Sequence, residues 1–184
     1  ISSTADIGLV LKKPFFVQWG TYFFFGIILI AFLMLLQASH LTFSIREVTG
    51  LLWLKSGLKV LGASTLIAFL EEILFRGMLL NAFRSRFTLP KAIVFSALVF
   101  SFLHFATPVG FRSQIQVVWY DGWKLAWDSC LGMVQHIEWP YFFNLVVLGI
   151  FLNLLAVRHK HLGGCMGFHA GIVFCLLFLR RNVD

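Results

Sequence analysis

The chain of 184 residues is 59% hydrophobic and only 12% charged, with 22 Phe and a mean hydropathy of +0.87. Soluble domains run about 45–50% apolar and about 25% charged, so a water-soluble globule, a disordered chain, a collagen-like repeat and a disulfide scaffold are all excluded. The formal net charge of +7 reads as Lys and Arg at membrane interfaces. No RNP, helix-turn-helix or zinc-finger pattern accompanies it, so no nucleic-acid partner is expected. Three cysteines, Cys130, Cys165 and Cys175, form no CxxC pair and read as small apolar fillers. The chain opens on Ile1, not Met, which suggests a trimmed or partial sequence.

A helix needs roughly 20 mostly apolar residues to cross the bilayer core. The first such stretch runs from about Phe15 to Ala38, after Lys12-Lys13 and Pro14. It is too long for a signal-peptide core and lacks a convincing cleavage site. A mixed, interfacial stretch follows from His40 to about Ser56. The second helix spans about Leu58 to Phe83, the third about Ala92 to Ala106, stopping at Thr107-Pro108. From Gly110 to Glu138 lies the longest polar interval, where Trp119, Tyr120, Trp123 and Trp127 sit among Arg112, Asp121, Lys124 and Asp128. That pattern suits an amphipathic helix at headgroup level. A fourth helix runs from about Pro140 to Val157 and a fifth from about Leu162 to Leu179, closed by Arg180-Arg181. The expectation is an all-α, polytopic membrane helical bundle of about five transmembrane helices plus an interfacial amphipathic segment. It forms one domain over residues 1–184, without internal repeats. Basic residues divide seven against seven between the two sides; denser loops on the N-terminal side favour a cytoplasmic N-terminus.

The second helix holds the unusual charges, in Phe69-Leu70-Glu71-Glu72-Ile73-Leu74-Phe75-Arg76-Gly77. Each ionisable group costs about 2.5–3.5 kcal/mol at mid-membrane, and the apolar neighbours return roughly 4–7 kcal/mol in all against roughly 7–10 for the three. These charges must therefore face other helices or a hydrated cavity. Glu72 and Arg76 are four apart, about 40° from each other around the axis, and suit an ion pair; Glu71 is turned by about 100° from Glu72. One carboxylate can be neutralised locally while the other stays available as a general base acting on water. The plain alternative is a buried ion-pair network that fixes packing or lines a transport path.

Two histidines join the set: His104 near the end of the third helix and His169 within the fifth. His40, His136, His159 and His161 fall in loops or at interfaces and read as solvated. No GxSxG elbow, HExxH, GxGD-like pair or phosphate-cradling glycine loop is present. What remains is water activated by a glutamate with imidazoles to orient it and steady an oxyanion. The same Glu71, His104 and His169 could equally hold Zn²⁺ with one open position.

At these residues the sequence resembles the CAAX protease and bacteriocin-processing (CPBP, or ABI) family of intramembrane proteases, whose signature is EExxxR, FxxxH and HxxxN or HxxxD on successive helices. Glu71 to Arg76 match the first motif and Phe100 to His104 the second. The third matches only at His169, because Val173 stands four residues later. The resemblance covers a core over about residues 58–179. It implies Glu71 as the base that activates water with help from His104, Glu72 with Arg76 as support for that base, and His169 as an oxyanion donor. Val173 cannot donate a hydrogen bond, and Asn153 on the preceding helix, deeper than Asn144, is the substitute expected. No cofactor is required on this reading, with Zn the alternative.

The expected activity is thus intramembrane endopeptidase cleavage of a membrane-anchored peptide or protein, such as a prenylated C-terminus, a leader peptide or a sorting tail. The expected setting is a multi-pass position in the lipid bilayer, the plasma or inner membrane if the source is bacterial. A non-catalytic immunity factor or scaffold is the second reading. A proton- or ion-coupled carrier is the third, though no inverted repeat supports it.

Overall fold

The computed structural model describes residues 8–9, 11–37, 50–106, 121–135 and 137–182. Sequence readings that fall on residues 38–49 and 107–120 and on His136 lie outside them. The described residues form helices and no strand: α1 (Lys13–Gln37), α2 (Gly50–Glu72), a π-helical segment (Ile73–Leu79), α3 (Leu80–Arg84), α4 (Leu89–Leu103), α5 (Asp121–Gln135), α6 (Trp139–His159) and α7 (Gly163–Asn182). This is an all-α membrane protein.

The expected five spans need correction. Among the described residues three helices are long and apolar enough to cross a membrane: Lys13–Leu36, Trp139–His159 and Gly163–Asn182. The second expected span is divided into α2, the π-helical segment and α3, and it carries the charges that set it apart. The third, α4, has 15 residues, about 22 Å of helix against a hydrocarbon core of about 30 Å. The second helix also starts earlier than expected, at Gly50. Lys55, Ser56 and Lys59 give this stretch an interfacial look, but helix continues through it because Ser56 is buried and its Oγ accepts a 3.2 Å bond from Asn182 Nδ2 on α7.

The chain divides into two compact units, one of residues 1–82 and 152–184, the other of residues 83–151. In the first unit α1 runs parallel to α7, and α2 runs antiparallel to it. The register of α1 on α7 is set by glycines. Gly163, Gly167 and Gly171 recur every four residues, so they form one stripe on the helix. A Cβ on them would run into the backbone carbonyls of Phe15, Trp19 and Phe23, themselves four apart on α1. Gly26 returns the contact against Phe168 and Ile172 backbone. Small residues let two backbones approach this closely, and in lipid such packing, not water exclusion, drives helix association. Beside the seam Phe23, Ala68 and Ala170 are buried together, with Trp19, Ile27, Leu61 and Phe174 packed around them. Trp53 on α2 meets Phe178 on α7 at 5.3 Å between ring centroids.

A tight turn joins α6 to α7. Lys160 takes a left-handed backbone conformation there, φ 56°, which lets the chain reverse within three residues. His161 Nδ1 accepts the Gly163 N–H at 3.2 Å, satisfying one of the orphan donors at the start of α7. Burial, and behind it the neighbouring His159, hold the His161 imidazole below the usual histidine range.

In the second unit Thr88 takes an extended conformation before α4, and Pro90 occupies its first turn, a place where a missing N–H costs nothing. Gly149 of α6 lies against Ala97 and Phe100 of α4, where a Cβ would find atoms at 3.1–3.2 Å. Phe105 packs on Tyr141 at 5.6 Å. On α5, Trp123 and Trp127 are exposed and share a face, one turn apart, with Leu131, and Lys124 and Asp128 flank that face.

The seam gives a direct test. Gly167→Ala should destabilise the protein by about 1–3 kcal/mol through overpacking, read as a lower thermal midpoint in detergent. Gly62→Ala, where an added Cβ meets nothing within 4 Å, should leave the midpoint unchanged or raise it slightly.

Candidate active site

The first unit gathers Glu71, Glu72, Arg76 and His169. Glu72 ends α2 and is fully buried. Its Oε1 accepts two hydrogen bonds, from Arg76 NH1 at 2.8 Å and from His169 Nδ1 at 2.7 Å. A carboxylate only accepts, so the proton of the second bond sits on Nδ1. That bond fixes the ring, as a carboxylate partner fixes an imidazole in many catalytic sites. The other ring nitrogen, Nε2, lies 3.7 Å from Glu71 Oε2. One imidazole therefore stands between two carboxylates, bonded to one and facing the other.

The two glutamates differ in solvation. The Glu72 side chain is 0% exposed, whereas that of Glu71 is 30% exposed. Consecutive residues on a helix are turned by about 100°, so one points into the helix contact and the other towards its edge. Arg76 belongs to the π-helical segment, where the Leu80 N–H bonds back to Phe75 O, five residues earlier. Such wide turns are rare and recur at functional sites. The guanidinium is also fully buried at its side chain, so Glu72 and Arg76 are taken out of water together.

Of the remaining residues singled out by sequence, Asn153 is fully buried on α6 in the first unit, while Asn144 is exposed. Val173 is partly buried on α7. His104 belongs to the second unit, in the turn that ends α4. Its Nδ1 lies 2.8 Å from Phe100 O, and its ring meets the Phe100 ring at 4.3 Å. Among the described residues no group of three or more His, Cys, Asp and Glu is placed to hold a metal ion.

One neighbour escaped the sequence reading. Cys165 is fully buried one turn before His169, its thiol donates to Leu162 O at 3.1 Å, and it also lies within hydrogen-bonding reach of Glu72. The i, i+4 spacing of Cys165 and His169 was the available signal; reading all three cysteines as fillers passed over it.

An all-helical membrane protein with a dehydrated Glu–Arg–His cluster and a second, partly hydrated glutamate is the class this geometry defines. The match to a family model, type II CAAX prenyl endopeptidase Rce1-like, covers residues 52–175, and the chain belongs to that family. Comparison with curated proteins and with solved structures gives no match. The family match includes all of α4, α5 and α6 and leaves out α1, the helix on which α7 is seated. Membership supports a CAAX-type intramembrane protease activity for this integral membrane protein.

Breaking a buried ion pair leaves an uncompensated charge, worth about 3–5 kcal/mol. Arg76→Leu should therefore lower the unfolding midpoint strongly. Glu71→Gln, at the partly exposed carboxylate, should shift it by less than about 1 kcal/mol. Thermal unfolding of both variants in the same detergent checks the contrast.

Proposed function

We propose that this protein is a glutamate-dependent intramembrane endopeptidase, multi-pass in its membrane, that cleaves a membrane-anchored protein or peptide, with prenylated C-terminal tails as the favoured substrate class. The observation that carries the reading is the division of labour between adjacent glutamates. Glu72 is bonded to Arg76 and His169, whereas the Glu71 side chain stays 30% exposed beside the other edge of the same imidazole. The 3.7 Å between His169 Nε2 and Glu71 Oε2 is too long for a direct hydrogen bond and too short for a water to lie between them, so a water held by both would sit beside the pair.

In the proposed reaction Glu71 takes a proton from a water molecule as its oxygen attacks the scissile carbonyl. The C–O bond forms, and the carbonyl electron pair moves onto oxygen. His169, held by Glu72 through its Nδ1–H, donates from Nε2 to that oxyanion as the imidazolium, the form that carries a proton on both ring nitrogens. Collapse breaks the C–N bond, and the proton on Glu71 passes to the leaving amine. Glu72 and Arg76 are positioning residues in this scheme. They hold the ring without touching substrate. Asn153, in the same unit as Glu71, is assigned to supply the donor that Val173 cannot.

Depth supports a cut near the membrane surface. His169 is the seventh residue of α7, counted from Gly163, about 9 Å along the helix from its start. With the start of α7 taken as the edge of a bilayer core of about 30 Å, that is its outer third.

Removal of a positioned general base costs about 10²–10⁴ in rate. Glu71→Gln should lose at least that in turnover of a prenylated tail peptide while keeping its unfolding midpoint; retained turnover would overturn the assignment. Asn153→Ala should lose about 10²-fold in kcat with KM little changed, as expected for a donor used only at the oxyanion. Unchanged kcat in the folded variant would remove Asn153 from the site.

A further inference from the structure

One end of the first unit concentrates positive charge that the sequence keeps nearly 150 residues apart. Lys12 and Lys13 stand at the start of α1; Arg158, His159, Lys160 and His161 form the turn from α6 to α7. Tertiary contacts bring the two runs together. The Leu162 N–H donates to Gly8 O at 3.0 Å, the Phe15 ring meets the His161 ring at 6.0 Å, and Tyr22 Oη lies 3.0 Å from His159 Nε2. Lys12, Lys13, Arg158 and Lys160 are all exposed, and none has an ion-pair partner among the described residues.

Two of the four have the wrong sign for their place. A helix N-terminus carries partial positive charge, so cations there are unfavourable and anions favourable. Lys12 contributes the carbonyl that accepts the first helical bond of α1, at 2.9 Å from Phe15 N, and Lys13 is that helix's first residue. Arg158 and Lys160 stand instead at the C-terminus of α6, Arg158 in its last turn and Lys160 with its N–H on Ala156 O at 3.0 Å, where the helix favours them. Two helix N-termini, one helix C-terminus and four like charges thus share one end of the unit. At the opposite end of α7, by contrast, Arg180 and Arg181 lie in its last turn, where the helix itself favours them. A fixed anion at the first end would reconcile what the chain alone leaves repulsive.

We propose that this end, formed by Lys12, Lys13, Arg158 and Lys160, binds the headgroups of anionic phospholipids in the leaflet it faces. These residues lie at the ends of helices long enough to cross a membrane, the level at which lipid phosphates are found. Clustered basic side chains beside a span are the chemistry that selects acidic lipids. The inference stands apart from the proteolytic reading, because its readout is lipid retention and not turnover.

The test uses the full chain in nanodiscs of phosphatidylcholine containing phosphatidylglycerol, with retained lipid measured by native mass spectrometry. The wild type should retain phosphatidylglycerol over phosphatidylcholine by about tenfold or more, and Lys12→Gln/Lys13→Gln/Arg158→Gln/Lys160→Gln should fall to within about twofold of no preference. The charge-keeping set Lys12→Arg/Lys13→Arg/Lys160→Arg should retain the preference, as should Lys55→Gln/Lys59→Gln on α2. If the quadruple variant unfolds, the Lys12→Gln/Lys13→Gln pair is measured instead and should lose a substantial part of the preference. An undiminished preference in the neutralised chain, or its loss in the α2 control, would overturn the proposal. So would displacement of the lipid by millimolar inorganic phosphate, which would make this a free-anion site.

Discussion

The structure of the first unit turns on a carboxylate that cannot be left alone. Glu72 is sealed from solvent, in a part of the chain where no water is at hand to solvate a charge, and the cost of an unpaired charge there is large. Its Oε1 is met by Arg76 from its own helical run and by His169 from α7. The first partner is local and follows from spacing. The second is remote by 97 residues, so α2 and α7 can be packed together only in registers that deliver the imidazole to the acid. A demand for electrostatic compensation thereby becomes a constraint on helix packing.

The glycine stripe of α7 makes that register reachable. Gly163, Gly167 and Gly171 let α1 approach one side of α7 backbone to backbone, while Cys165 and His169, also four residues apart, lie buried on the side that meets Glu72. The two stripes divide one helix between a seat and a site. The first is steric and depends on the absence of side chains; the second is chemical and depends on their presence. A helix built this way has little freedom to rotate, which is what a bond of 2.7 Å to a buried carboxylate requires.

The same reasoning explains why adjacent glutamates serve different ends. A helix turns successive side chains by about 100°, and the contact with α7 buries one of those directions fully and the next only in part. Glu72 acquires a structural partner set, and Glu71 stays partly exposed with the imidazole edge beside it. The π-helical segment that follows belongs to this arrangement, since it carries Arg76 at the point where the helix must both pair its own acid and continue towards α3.

Much of this was legible in the chain. The apolar composition determined a membrane protein, the EExxxR spacing determined a local Glu72–Arg76 ion pair, and the order of motifs pointed to the protease family, because each of these depends on neighbours within a few residues. The extent of the spans was read less well: helix runs through Lys55, Ser56 and Lys59 because α7 supplies a partner for Ser56, and the charged helix is interrupted by wide turns that no local pattern announces. The GxxxGxxxG run of α7 and the Cys165–His169 spacing were visible as letters but had no stated use until α1 and α2 were seen against them. Which carboxylate is sealed, which imidazole is shared and which cations crowd one end were decided only by tertiary packing, since burial, dielectric and charge proximity are properties of the surroundings that distant segments create.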